Sequence, residues 1–151
     1  MIKVLLNRIE KLEPKLGAFE EVMADQALEA AEGAERTINS GHKMGPFYGI
    51  PFVLKDLIHV KGTITTGGTN LYADRISKKT ALIAQRLMSG GGILVGKTKT
   101  VEVALGPWGT NTQRGTPWNP WDLETHRVPG GSSSGSGVAV AAGLTSAALG
   151  T

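Results

Sequence analysis

A run of serines and glycines at residues 130–137 is the part of the sequence best suited to chemistry. Its order is Gly-Gly-Ser-Ser-Ser-Gly-Ser-Gly, and the apolar run 138–143 follows directly. Serine and glycine together allow tight bends that expose backbone N–H groups and hydroxyls. The apolar run predicts a small buried helix with Ser134 or Ser136 as its N-cap, which argues against a flexible linker. Such a helix N-terminus attracts negative charge, including the oxyanion formed during acyl transfer.

Lys55 is the second candidate for chemistry. The run Phe52-Val53-Leu54 is short and β-prone, so it predicts a strand that carries Lys55 at its C-terminal end. Desolvation disfavours an ammonium group, and a lysine in such a place can serve as a base near neutral pH. The alternative interpretation is a surface lysine that caps the strand in an ion pair with Asp56. The local sequence does not choose between the two.

Two further motifs fit their patterns but not their contexts. Residues 91–98 match the phosphate-loop pattern G-x-x-x-x-G-K-[ST], yet the middle is Ile-Leu-Val and predicts a strand with a helix before it. A phosphate loop needs the reverse order, so we expect no nucleotide binding here. Residues 131–135 match G-x-S-x-G, but a poor strand precedes them and no Asp…His pair follows. This disfavours the nucleophile elbow of α/β-hydrolases.

Composition limits the classes of function that remain. The 151 residues are enough for one domain with a core, and a net charge of +3 without a basic stripe gives no reason to expect nucleic acid. The absence of cysteine excludes disulfides and thiolate-bound metal and favours a cytoplasmic protein. The three histidines lack metal-ligand spacing. We expect no metal, no cofactor, no signal peptide and no membrane span.

The predicted elements alternate between helices and strands. A first helix starts at Met1 and ends at Pro14, and a second spans about residues 20–39. Thr80 is predicted to cap a helix over residues 81–88, and residues 93–97 form a buried strand. With the strand before Lys55, this gives a crossover unit and a sheet of parallel character. We divide the chain into a helical part, residues 1–44, and a catalytic-core part, residues 45–151.

Several segments in this order resemble the amidase signature family. They are Gly49-Ile50-Pro51-Phe52-Val53-Leu54-Lys55-Asp56, Gly96-Lys97-Thr98, Asn119-Pro120-Trp121, Pro129-Gly130-Gly131-Ser132-Ser133 and Ala139-Val140-Ala141-Ala142-Gly143. The resemblance covers nearly the whole chain. It implies an α/β fold, part of an α/β/α sandwich of the amidase signature type with a mixed central sheet. It also implies an amide hydrolase that acts on linear amides, in a family that includes amidases and the amidase component of glutamyl-tRNA(Gln) amidotransferase.

The resemblance also implies roles for particular residues. The family uses a Ser–cis-Ser–Lys set, in which Lys55 would be the base and Ser132 the relay serine, held by a cis peptide after Gly131. Neutral Lys55 would take a proton from Ser132, which takes one from the nucleophile. Ser133 would support the loop. Ala104, Leu105 and Gly106 would border the acyl pocket.

The family's nucleophile is not among these residues. In the family, the alanine-rich helix is followed by G-T-D-x-G-G-S, whose last serine is the nucleophile and whose backbone forms the oxyanion hole. This sequence reaches Gly150-Thr151, just before that segment. We therefore expect the 151 residues alone to be inactive or nearly so.

Three alternatives and two kinds of partner remain open. The chain could instead be a non-catalytic assembly or partner chain with the amidase fold, the amidase component of a tRNA-dependent amidotransferase, or a nucleotide-binding domain. The expected ligand of a completed site is a small-molecule amide. We also expect an open sheet edge and an apolar face, and hence self-association or pairing with a complementary chain.

Overall fold

The computed structural model describes residues 1–42 and 44–151. Four helices and four strands alternate along the chain. They are α1 (Ile2–Leu16), β1 (Phe19–Val22), α2 (Ala24–Asn39), β2 (Pro51–Lys55), α3 (Leu82–Ser89), β3 (Ile93–Thr98), α4 (Ser134–Ala141) and β4 (Ala147–Leu149). Short 3₁₀ turns lie at Asn70–Tyr72 and Glu102–Ala104.

The strands form one mixed sheet in the order β1-β3-β2-β4. β2 runs parallel to both β3 and β4, whereas β1 pairs antiparallel with β3. The predicted crossover from β2 through α3 to β3 is confirmed, and so is the mixed sheet. Because β2 lies between two parallel neighbours, all five of its residues are buried, and its sequence is accordingly an almost unbroken apolar run.

Helices cover the two faces of the sheet, as the α/β/α interpretation predicts. On one face, α1, α2 and α4 share a core with β2 and β3. Its buried members include Ile9, Leu16, Ala27, Val53, Val95, Val138 and Leu144. On the other face, Phe52 and Leu54 of β2 pack with Ala84 of α3. The two cores hold β2 and β3 rigidly between them, and the candidate catalytic side chain is the last residue of β2.

The N-terminal helices differ from their predicted bounds. α1 continues through Pro14 to Leu16, because Leu16 is buried in the core and Gly17 ends the helix in a left-handed conformation. The predicted start of the second helix was wrong: residues 19–22 form β1, and α2 begins only at Ala24. Pairing with β3 supplies backbone hydrogen bonds that a four-residue segment does not reveal in its own pattern.

The predicted caps were also wrong. The N-cap of α3 is Ala81, and the Thr80 hydroxyl accepts a hydrogen bond from Lys61 N–H instead. The N-cap of α4 is Ser133, whose side chain makes no capping bond, so neither Ser134 nor Ser136 caps the helix. In both places, tertiary hydrogen bonds take the hydroxyl that a local pattern would assign to the cap.

Two exclusions made from the sequence agree with the structure. Residues 93–98 of the phosphate-loop pattern are β3 itself, so the loop that would wrap a phosphate is missing from this segment. Among the described residues, no helix has both the length and the apolar character needed to cross a bilayer.

Candidate active site

Lys55 and Ser132 meet in the fold. The Lys55 Nζ atom lies 2.6 Å from Ser132 Oγ and 2.7 Å from Thr151 Oγ1. Lys55 is 0% exposed, so it is not the surface lysine of the alternative interpretation. Asp56 does not pair with it either, since the Asp56 carboxylate binds Lys97. The structure therefore brings together a buried amine and two hydroxyl groups that are far apart in the sequence.

Three elements place these groups at one edge of the sheet. Lys55 ends β2, Thr151 follows the parallel neighbour β4, and the carboxyl ends of parallel strands meet at the same edge. Ser132 precedes α4, which packs on β2 and β3. Gly135 allows this close approach, because a Cβ atom there would clash with the carbonyl oxygen of Ala18.

Ser132 is held through its backbone as well as its side chain. Its carbonyl oxygen accepts hydrogen bonds from Val101 N–H at 3.1 Å and from the Thr100 hydroxyl at 3.0 Å. The Gly131–Ser132 peptide bond is cis, as the family resemblance implies. Asn111 in turn donates to the Thr100 carbonyl at 2.8 Å. The segment after β3 thus fixes the position from which Ser132 reaches Lys55.

The electrostatics of Lys55 favour a neutral amine. Burial lowers the pKa of Lys55 below its ordinary value, because the protein interior stabilises an ammonium ion less well than water does. Among the described residues, no salt bridge involves Lys55. An amine that loses its proton more readily and lies 2.6 Å from a hydroxyl can accept the proton of that hydroxyl.

The other serines of the run connect secondary-structure elements. The Ser133 hydroxyl donates to the Thr151 carbonyl at 3.1 Å and accepts from Thr151 N–H at 2.9 Å. The Ser134 hydroxyl faces the Lys99 carbonyl, and the Ser136 hydroxyl bonds to Thr98 Oγ1. Ser133 is the one of the three that supports the segment beside Lys55, as the resemblance implies.

A groove of about 650 Å³ lies beside the Ser132 segment. Leu105 and Gly106 line it together with Val101, whose N–H binds the Ser132 carbonyl. Ala104 does not line this groove, although it was predicted beside the acyl pocket. Its φ of 58° turns the chain in a left-handed conformation that is unfavourable for alanine.

A second buried lysine lies on the opposite side of the sheet from Lys55. Lys97 Nζ is 2.6 Å from Asp56 Oδ1 and also donates to Thr65 Oγ1 at 3.1 Å. The other carboxylate oxygen of Asp56 accepts from both the N–H and the hydroxyl of Thr66. This pair lies at the end of β2, directly after Lys55, and fastens it to β3 and to the loop that follows.

Sequence reasoning missed Thr100, Thr151 and the Asp56–Lys97 pair. Nothing local distinguishes either threonine, because each contributes through a contact with a distant segment. A signal for the pair did exist: two lysines end two neighbouring predicted strands, and one acidic residue follows the first. Within the described ranges 1–42 and 44–151, no group of acidic or histidine side chains is arranged to hold a metal ion.

This combination of an α/β sandwich with a buried lysine, a cis-serine and a Ser-Gly-rich helix start defines an amidase-type chain. The family model described as Amidase matches residues 1–151. The chain therefore belongs to the amidase family.

Curated relatives are similar over almost the whole chain, and those with the highest identity are amidase components of glutamyl-tRNA(Gln) amidotransferases. The one from Cyanothece sp. is 42% identical over 146 residues, covering 97% of this chain and 30% of the relative. The one from Symbiobacterium thermophilum is 42% identical over 147 residues, with the same shares covered. The chain thus spans about 30% of the length of the curated relatives that it matches.

Solved structures show the same partial correspondence. A crystal structure of an amidase has a TM-score of 0.88 and 34% identity, covering 99% of this chain and 33% of that one. The peptide amidase of Stenotrophomonas maltophilia has a TM-score of 0.85 and 34% identity, covering 97% and 31%. The sheet and helices described above are therefore a part of the amidase-signature fold.

Proposed function

We propose that these residues form the base-and-relay part of an amide hydrolase site, with Lys55 as the base and Ser132 as the relay. The observation that carries this proposal is the 2.6 Å contact between the buried Lys55 amine and the Ser132 hydroxyl. Membership of the amidase family supports it. Amide hydrolysis needs a group that removes a proton from the attacking hydroxyl, and a neutral amine in hydrogen-bond contact with a serine can do so through that serine.

The proposed reaction moves one proton at each position. Neutral Lys55 takes the proton of Ser132, and Ser132 takes the proton of the attacking serine. The oxygen of that serine bonds to the amide carbonyl carbon, and the C–N bond then breaks as the amine leaves with a proton returned along the same path. Water hydrolyses the resulting ester by the same proton transfers in reverse order.

The attacking serine is proposed to come from the segment that follows Thr151 in the family, G-T-D-x-G-G-S. Two observations support this: Gly150 and Thr151 match its first two residues, and Thr151 Oγ1 already contacts Lys55. The 151 residues by themselves are then expected to be inactive or nearly so, because the nucleophile and the oxyanion hole are both needed for most of the rate.

An amidase assay with and without the following segment tests the proposal. The 151-residue chain is compared with a version extended through the next glycine–serine segment and beyond, on a small linear amide. We expect activity only in the extended form, and at least about a thousandfold loss in its Lys55→Ala and Ser132→Ala variants. Lys99→Ala and Ser134→Ala are matched controls, since neither side chain contacts Lys55. Activity that survives Lys55→Ala would refute the proposed base.

Two alternatives share the fold. A tRNA-dependent role is favoured by the relatives from glutamyl-tRNA(Gln) amidotransferases. It predicts that the extended protein hydrolyses no simple amide alone and acts only with that tRNA substrate and partner chains present. A non-catalytic partner chain predicts no amide turnover in either setting, with or without Lys55.

We also propose that the chain self-associates through the β4 edge, or pairs there with a complementary chain. Among the described residues, β4 has β2 as its neighbour on one side and no strand on the other. An apolar groove of about 310 Å³ adjoins it, lined by Phe47, Ile50, Phe52, Leu87 and β4 itself. An open edge beside an apolar groove favours pairing. A cytoplasmic location, supported by the cysteine-free composition, belongs to the same proposal and is tested by fractionating cells.

A further inference from the structure

The two lysines at the ends of β2 and β3 are equally buried but differ in their surroundings. Lys55 and Lys97 are each 0% exposed, and their strands are parallel neighbours with Leu54 opposite Lys97 and Lys55 opposite Thr98. Lys55 contacts only hydroxyl oxygens, whereas Lys97 contacts a carboxylate. Burying a charge is unfavourable unless it is paired, so the pairing decides which lysine can keep its proton inside the protein.

Asp56 could in principle be the partner of either lysine, because it directly follows Lys55 in the chain. The hydrogen bonds of its carboxylate are instead all on the other face of the sheet. Oδ1 accepts from Lys97 at 2.6 Å, and Oδ2 accepts from Thr66 N–H at 2.9 Å and from its hydroxyl at 2.5 Å. Lys97 uses its remaining N–H groups on Thr65 Oγ1 and on the Ile64 carbonyl. The network is saturated and holds one positive and one negative charge.

The charged groups around Lys55 are few. β4 and α4 carry no titratable side chain, and neither does the loop over residues 63–69. The groups that remain are Asp56 on the turn after β2, Lys97 on β3, and His59 and Arg75, which lie near the Asp56–Lys97 pair. Removing one member of the pair therefore leaves one uncompensated charge near Lys55 in a region of low dielectric constant.

We propose that Lys97 is a positioning residue that neutralises Asp56 and holds its carboxylate away from Lys55, so that Lys55 remains the buried amine without an anionic partner. This inference rests on the proposed function only for its purpose, namely to keep Lys55 available as a base. The charge relationship itself belongs to the folded chain and exists without substrate. Burial lowers the pKa of Lys55, and the pair preserves that effect by presenting no net charge.

A charge cycle tests the proposal on the 151-residue chain. Lysine labelled with nitrogen-15 at Nζ reports the titration of Lys55 by NMR, with Lys55→Met identifying its signal. In Lys97→Met the Asp56 carboxylate is unbalanced, and we expect the pKa of Lys55 to shift upward. In Asp56→Asn the Lys97 ammonium is unbalanced, and we expect a downward shift. The double variant has neither charge and is expected to return close to the wild-type value.

The opposite signs separate this proposal from a merely structural role. Loosened packing would move the Lys55 titration in the same direction in both single variants. Shifts of the same sign in both, or no shift in either, would overturn the proposal, and so would a double variant displaced as far as a single one. Lys97→Arg keeps the charge and is the matched control, expected to leave Lys55 unchanged.

Removing one partner of a buried pair can prevent folding, and the cycle allows for this. If one single variant does not fold, the other single variant and the double variant give the same comparison, because they differ by one charge. Backbone amide spectra establish which variants are folded. Since no substrate is used, a failed cycle overturns the role of Lys97 alone. A failed amidase assay overturns the proposed function and leaves the cycle's result standing.

Discussion

Lys55 couples the proposed chemistry to stability at the scale of a single residue. Because its pKa is lowered by burial, the unfolded chain binds this proton more tightly than the folded chain does. Between the lowered pKa and the ordinary value of 10.5, the free energy of unfolding rises with pH, and above 10.5 the cost of burying Lys55 is gone. Lys55→Met removes this contribution, so its free energy of unfolding rises less over the same window.

Urea denaturation of the wild type and Lys55→Met at matched pH values measures the difference in slope. Lys99→Met is the control, since Lys99 is a half-buried lysine near the same sheet edge that does not contact Ser132. Equal pH dependence in the wild type and Lys55→Met would show that Lys55 is not desolvated as described.

The partners of single residues were only partly predictable. The strand pattern placed Lys55 at the end of β2, but it left open whether Asp56 or the interior would be its neighbour. Ser132 lies 77 positions away and was assigned to Lys55 only through the family resemblance. Thr100 and Thr151 gave no signal, because a threonine that supports a site looks like any other until the chain is folded.

At the scale of elements, the packing of α4 determines where Ser132 lies. A Cβ atom at Gly135 would clash with the Ala18 carbonyl and lie 2.5 Å from Lys99 N, whereas one at Gly137 would meet nothing within 4 Å. We therefore expect Gly135→Ala to lower the free energy of unfolding by about 1–3 kcal/mol or more. Gly137→Ala should leave it unchanged or raise it by up to about 1 kcal/mol, because alanine favours the helix.

The two glycines lie in one helix and receive the same substitution, so helix propensity is controlled. Thermal or urea unfolding of both variants checks the prediction. Equal stability in Gly135→Ala and Gly137→Ala would mean that α4 does not approach β1 and β3 as closely as the structure shows.

Elements were predictable where their own pattern decided them. β2, α3, β3 and α4 follow from apolar runs and helical spacing that tertiary contacts reinforce. β1 was missed because four residues beside an alanine-rich helix are defined by pairing with β3 rather than by their own alternation. α1 passed Pro14 because burial of Leu16 outweighs the backbone hydrogen bond that proline cannot make.

At the scale of the whole molecule, the strand order was beyond the sequence pattern. The crossover predicted that β2 and β3 are parallel, but the places of β1 and β4 on either side depend on long-range pairing. The consequence for behaviour in solution is the proposed association at the β4 edge. We expect the sedimentation coefficient of the chain to rise with its concentration.

Ala147→Lys places a charge on that edge and should suppress the association, because charged side chains protect exposed strands from pairing. Ala30→Lys makes the same change on the exposed surface of α2 and serves as the control. Sedimentation velocity over a concentration series distinguishes them. A wild-type chain that stays monomeric throughout, or equal suppression by both variants, would count against the proposed interface.

The most direct test of the account is a double-variant cycle on amide hydrolysis in the extended protein. Lys55 and Ser132 are proposed to act as one proton path, so removing either should disable both. We predict that Lys55→Ala combined with Ser132→Ala is about as slow as the slower single variant. Losses that multiply in the double variant would show two independent contributions and would contradict a shared path.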